Sequence, residues 1–197
     1  MKPIGVFYAT REGHTHKIAE RVAEDLRKRG FEAEVKDLRG EAAIDLKNFS
    51  SAILAASVHI GRHEPEMLEF VKQYRAELEA MPAAFLSVTL SEAGAERANA
   101  TPEEHARFVA DVQGMLDRFF KDTGWHPQRV KPVAGALLYT KYNFLIRFVM
   151  RRIARKAGAA TDTSRDYEYT DWVALDHFVE ELVEGLSPPN APILPPQ

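Results

Sequence analysis

The run Ile4-Gly5-Val6-Phe7-Tyr8-Ala9, continued by Thr10-Arg11-Glu12-Gly13-His14-Thr15, decides the fold. Six apolar residues make a short buried strand, and the pattern after the loop places Ile18, Ala19, Val22, Ala23 and Leu26 on one face of a helix. A strand that passes through hydroxyls and a glycine into a helix is suited to holding a phosphate. The helix start offers unpaired N–H groups and a positive dipole end, and Gly13 lets the backbone approach closely. No Gly-Lys-Ser/Thr follows, so the loop is not a Walker P-loop, and it lacks the three glycines of a dinucleotide fingerprint. Taken alone, an ordinary strand-to-helix turn explains it equally well.

Outward from this stretch the same unit recurs. Phe31 to Leu38 alternates as an edge strand, while Ser50 to Val58 is continuously apolar, as a strand covered on both faces must be. Its loop Ser57-Val58-His59-Ile60-Gly61-Arg62-His63 leads to a helix from Pro65 with Met67, Leu68, Val71, Tyr74 and Leu78 at helical spacing. Pro82 to Leu90 is the fourth strand, and a small-residue loop over 91–100 precedes the helix start Thr101-Pro102-Glu103-Glu104. Val130 to Leu138 is the fifth strand, and Thr170-Asp171-Trp172 opens the last helix. Five strands alternating with helices predict a doubly wound α/β sheet with parallel strands. Ligands in such sheets bind outside the carboxyl ends of the strands. There the loops at 10–15, 57–63 and 87–99 converge, which strengthens the phosphate reading.

Composition narrows the chemistry. The chain has no cysteine, which removes disulfides, thiolate catalysis and iron–sulfur ligation. Three spaced histidines in different elements, His14 in the first loop and His16 and His105 on helices, do not make a metal site. The net charge of −3 is ordinary for a globular protein, and no nucleic-acid partner is expected. No apolar run is long enough to span a membrane and no leader pattern opens the chain, so a cytoplasmic protein is expected. One domain is expected over 1–186, followed by a disordered proline-rich tail over 187–197.

One segment breaks the alternation. About thirty residues, 139–169, separate the fifth strand from the last helix. Lys141 to Lys156 carries six basic residues and no acid. On a helical wheel Tyr142, Ile146, Val149, Met150 and Ile153 form an apolar stripe. Phe144, Leu145 and Phe148 fall instead among Arg147, Arg151, Arg152 and Arg155. A helix packed by its stripe, with solvated arginines, accounts for the charge. Aromatics among the arginines suit an anionic membrane surface or an amphiphilic carboxylate.

With these residues in view the chain resembles the flavodoxin-like family, and within it the menaquinone-dependent protoporphyrinogen oxidases. The resemblance rests on Thr10 to Thr15, Ala56 to His63, Met81 to Leu90, Gly124-Trp125-His126-Pro127, Ala134-Gly135-Ala136-Leu137 and Tyr169-Thr170-Asp171-Trp172. It implies strand order 2-1-3-4-5 and noncovalent FMN. Thr10, Arg11, Glu12, Gly13, His14 and Thr15 would hold the phosphate. Ser57, Val58, His59, Ile60 and Gly61, with Ser87, Val88, Thr89 and Leu90, would flank the isoalloxazine. It further implies oxidation of protoporphyrinogen IX in haem synthesis, menaquinone or ubiquinone as acceptor, and peripheral contact with the inner face of the cell membrane. The alternatives are a flavodoxin-type electron carrier and another FMN-dependent quinone oxidoreductase.

The resemblance names no catalytic side chain. His59, Arg62 and His63 would make the flavin surroundings cationic, favouring an anionic reduced flavin. Arg62, Tyr139, Phe144, Arg147, Phe148, Arg151, Arg152 and Arg155 are the expected substrate- or membrane-facing residues. Trp125 and Trp172 are expected to pack away from the flavin loops.

Overall fold

The computed structural model describes residues 2–40, 44–156, 159–184 and 186; the side chains of Leu145, Ile153 and Lys156 are not described. The expected tail at 187–197 lies outside the described residues.

Strand β1 (Ile4–Ala9) is buried along its whole length because it has neighbours on both edges and helices on both faces. It pairs in parallel with β2 (Ala33–Asp37) and with β3 (Ser51–His59), Tyr8 standing opposite Asp37 and Ala55. Beyond β3 come β5 (Ala83–Thr89) and β6 (Arg129–Ala134), both parallel. The order β2-β1-β3-β5-β6 matches the expected order once one extra strand is counted. That strand, β4 (Arg62–His63), turns back antiparallel onto the end of β3, within the stretch expected to be loop.

Alternation along β1 divides the core. Ile4, Val6 and Tyr8 face α1 (His14–Lys28) and α7 (Trp172–Val183), meeting Ile18, Val22, Leu26, Leu175 and Val179. Phe7 and Ala9 face α2 (Pro65–Gln73) and α5 (Pro102–Thr123), meeting Met67, Val71, Leu116, Phe119 and Trp125. The helix expected from Pro65 through Leu78 breaks at Tyr74, and α3 (Arg75–Glu79) resumes after it. Residues after β5 form a short helix, α4 (Leu90–Ala95), where a loop was expected. At α5 the expected start is a full capping box between Thr101 and Glu104, and the helix stops at left-handed Gly124.

The fifth strand does not run to Leu138. It ends at Ala134, and β7 (Ala136–Leu137) leaves the sheet to pair antiparallel with β8 (Tyr167–Glu168). Between them lies α6 (Phe144–Lys156), started by the Asn143 side chain, which accepts from the Ile146 amide at 2.9 Å. This segment has its own small core of Leu137, Tyr139, Tyr142 and Ala154, with Met150 at its edge. It thereby stands over the carboxyl ends of the strands.

Candidate functional site

The 10–15 loop gathers polar groups that the chain itself leaves unpartnered. Gly13, at φ +92°, caps α1 without any side-chain bond, and the first turn of the helix holds no acid. Amide groups at that end are therefore left facing outward with the positive end of the dipole behind them. Thr10 Oγ1 accepts from the Gly13 amide at 3.2 Å, which leaves its own hydrogen to donate. Thr15 is almost wholly buried, and its hydroxyl oxygen has no hydrogen-bond partner. Lys141 Nζ reaches over the loop to donate to the Glu12 carbonyl at 2.8 Å. Two hydroxyl donors, a helix N-terminus and an ammonium fit a phosphomonoester.

Three residues of the loop do something other than expected. Arg11 Nε is committed to both oxygens of Glu64, at 3.1 and 3.0 Å. The Glu12 carboxylate lies 3.0 Å from His59 Nε2. His14 is buried and hydrogen-bonded to Thr170 Oγ1 at 2.7 Å. Because the Thr170 hydroxyl donates to the Ala134 carbonyl, His14 Nε2 must carry the proton it gives to Thr170. Burial holds the His14 pKa below its ordinary value, against a smaller opposing pull from Glu168. Trp172, expected to lie away from the loops, stands edge-on to the His14 ring.

The second loop is a hairpin. Ile60 and Gly61 both have positive φ, +51° and +71°, as a two-residue turn between β3 and β4 requires. A β-branched residue in that conformation is a steric outlier. Behind the turn, Glu64 is fully buried and takes bonds from Arg11, Ser57 and His59. Arg39 approaches it at 3.5 Å and also pairs with Glu66. Three cations, Arg11, Arg39 and His59, thus face three carboxylates, Glu12, Glu64 and Glu66. Burial opposes charge on His59, but its bonds to Glu12 and Glu64 outweigh this and raise its pKa to about 9. Burial lowers the pKa of His63 to about 4, where it packs against the stacked rings of Phe85 and Phe119, hydrogen-bonded to Ser87 at 2.8 Å. The expectation of a cationic group made by His59, Arg62 and His63 is therefore corrected. His59 is charge-compensated, His63 is neutral, and Arg62 alone of the three is exposed as a cation.

These loops meet in a narrow cleft of about 60 Å³, whose walls include Thr15, Ser57, Thr89, Gly135, Tyr142 and Met150. Val58, Val88 and Leu90 line the same cleft, whereas Ser87 is spent on His63 and Ile60 is 97% exposed at the turn. Tyr142, an aromatic candidate for the substrate side along with Tyr139, does reach this cleft. Lys141, Met150 and Thr170 were missed as site residues, because each comes from the insertion or its far end. The only sequence signal for them was that an insertion of this length needs a purpose.

Residues 5–164 match the flavodoxin domain family. Protoporphyrinogen IX dehydrogenase (quinone) of Leishmania major is 31% identical over 178 residues, covering 90% of this chain and 73% of that protein. This chain belongs to the flavodoxin-domain family, among the protoporphyrinogen IX dehydrogenases. The Escherichia coli K12 enzyme of the same name is 29% identical over 185 residues, covering 94% of this chain and 97% of its own. Flavodoxin 1 of Bacillus cereus shares the fold, with a TM-score of 0.50 at 17% identity over 94% of this chain and 99% of that one.

On this flavodoxin frame the insertion is only partly as expected. Tyr139 is fully buried and its hydroxyl donates to the Ala160 carbonyl at 2.8 Å, so it is a packing residue and not a substrate contact. Arg147 folds back to donate to the carbonyls of Tyr139 and Tyr142, both at 3.1 Å, which removes it from the outward set. The predicted stripe is also rotated. Ala154 and Met150 face inward, while Ile146 and Val149 are nearly half exposed. Phe144 and Phe148 are 84% and 67% exposed, beside exposed Arg151, Arg152 and Arg155. Among the described residues no helix is long and apolar enough to cross a membrane, and no group of side chains could hold a metal ion.

Proposed function

We propose that this chain binds FMN and oxidises protoporphyrinogen IX to protoporphyrin IX, delivering the electrons to a membrane quinone, menaquinone or ubiquinone. The observation that carries the reading is the unpartnered, buried Thr15 hydroxyl beneath an uncapped helix N-terminus. Leaving such a group unsatisfied costs about 1–3 kcal/mol, which a phosphate acceptor would recover. FMN supplies the redox chemistry when bound, taking a hydride equivalent and passing electrons on. The chain's own residues bind and orient. Thr10, Thr15 and Lys141 hold the phosphate, and the Ser57–His59 and Val88–Leu90 segments form the walls of the cleft.

The exposed aromatics of α6, set among arginines, support contact with the anionic inner face of the cell membrane, where the quinone resides. Met150 brings that helix, and Tyr142 the turn before it, to the edge of the flavin cleft. The test is the visible spectrum of purified protein, followed by anaerobic addition of protoporphyrinogen. A yellow protein that bleaches and is recoloured by quinone is expected. A colourless protein that FMN does not reconstitute, or bound FMN that the porphyrinogen leaves oxidised, overturns the reading.

A further inference from the structure

A second cavity, of about 460 Å³, shares His59 with the flavin cleft and opens between the β3–β4 hairpin and α5. It is far larger than the flavin cleft and lies within the size range of small-molecule sites. Leu68, Met115 and Phe119 make an apolar floor. Arg11 and His59 form the wall nearest the flavin cleft, but both are spent on buried carboxylates. Two further cations stand at the rim, neither held by a buried carboxylate. Arg62 is 70% exposed and only loosely paired with Asp122 at 3.8 Å. Arg118 rises from α5, donates Nη1 to the Gly61 carbonyl at 3.0 Å, and thereby also braces the hairpin turn.

We propose that this cavity takes the carboxylate-bearing edge of the tetrapyrrole, with Arg62 and Arg118 as the forks that hold its two carboxylates. The inference rests on the function proposed above and names the recognition site within it. An apolar floor suits the hydrocarbon body of a porphyrinogen, and guanidinium groups suit its carboxylates through bidentate bonds. A quinone, being uncharged, has no use for either arginine. The loose, exposed pair between Arg62 and Asp122 is weak enough for a substrate carboxylate to displace. His59 lines both this cavity and the flavin cleft, so a ligand seated here lies one side chain from the redox centre.

The test is an equilibrium titration of FMN-loaded protein with protoporphyrin IX and with its dimethyl ester, followed by the shift of the porphyrin absorbance. The wild type is expected to bind the free acid about tenfold or more tightly over the ester, since each charge-assisted bond is strong. Arg62→Ala with Arg118→Met should abolish that preference, and Arg62→Lys should restore part of it. The exposed position of Arg62 makes the single variant Arg62→Ala safe for folding, with a thermal melt as control. A double variant that keeps the wild-type preference for the acid overturns this site while leaving the proposed function standing. Equal binding of acid and ester by the wild type overturns it too. A wild type that neither binds the porphyrin nor is reduced by the porphyrinogen brings down both proposals.

Discussion

His59 Nε2 and the buried carboxylate of Glu64 lie 3.1 Å apart behind the β3–β4 turn, and each moves the other's titration. Burial works against both charges, yet hydrogen bonds prevail, those of His59 to Glu12 and Glu64 and those of Glu64 to His59 and Arg11. The His59 pKa is raised from 6.5 to about 9, and that of Glu64 is lowered from 4.5 to about 2. A raised histidine pKa stabilises the fold fully below its ordinary value of 6.5, and the contribution fades as pH climbs through about 9. A lowered carboxylate pKa contributes fully above 4.5 and fades as pH drops through about 2. Thermal stability from this pair should therefore be greatest between 4.5 and 6.5 and decline toward pH 9. Melting curves across pH for wild type and His59→Gln check this: the variant should show a flatter alkaline limb.

Thr15→Val should act in opposite directions on two measurements. It removes a buried hydroxyl that lacks a partner, so FMN-free protein should melt no lower than wild type. It also removes a donor to the phosphate, so FMN affinity should fall by about 1–3 kcal/mol. Thr10→Ala should likewise weaken binding, read in the same fluorescence titration. A shared loss of stability and no change in affinity would show that Thr15 serves packing alone.

Ile60 pays for the hairpin with strained backbone. Its side chain is almost completely exposed, so replacement sacrifices little burial. Ile60→Asn, which tolerates the left-handed region, should stabilise the protein by about 1 kcal/mol. That corresponds to a rise of about 2–4 °C in melting temperature for a chain of this size.

Phe144→Ser combined with Phe148→Ser should leave the melting temperature within about 1 °C, because both rings are exposed. The same variant should lose flotation with anionic liposomes, each buried ring being worth about 1.5–3 kcal/mol. Retained flotation would mean that α6 is not the membrane-facing element.

Much of this architecture was legible before any coordinates. β1 and β3 announce themselves because a strand covered on both faces has to be apolar throughout, and α5 because Thr101, Pro102 and Glu104 write its start. What escaped is what depends on partners far along the chain. The Arg11–Glu64 pair spans 53 residues, so neither charge could be assigned from its neighbours. Helical periodicity located an apolar stripe in α6 but could not say which side meets the sheet. That side was set by Ala154, the smallest of its inward residues, and by Arg147 bonding to the chain behind it. Tyr139 looked like a substrate aromatic because sequence does not reveal that its hydroxyl is satisfied by Ala160.

The bond from Lys141 to the Glu12 carbonyl joins positions 129 apart. On the ribosome, β1, the Thr10–Thr15 loop and α1 emerge early, long before the ammonium that crosses the loop has been made. A nascent chain can thus form the cradle but not close it. A chain truncated before residue 141 should therefore hold a phosphate ligand in this loop more weakly than the full chain does.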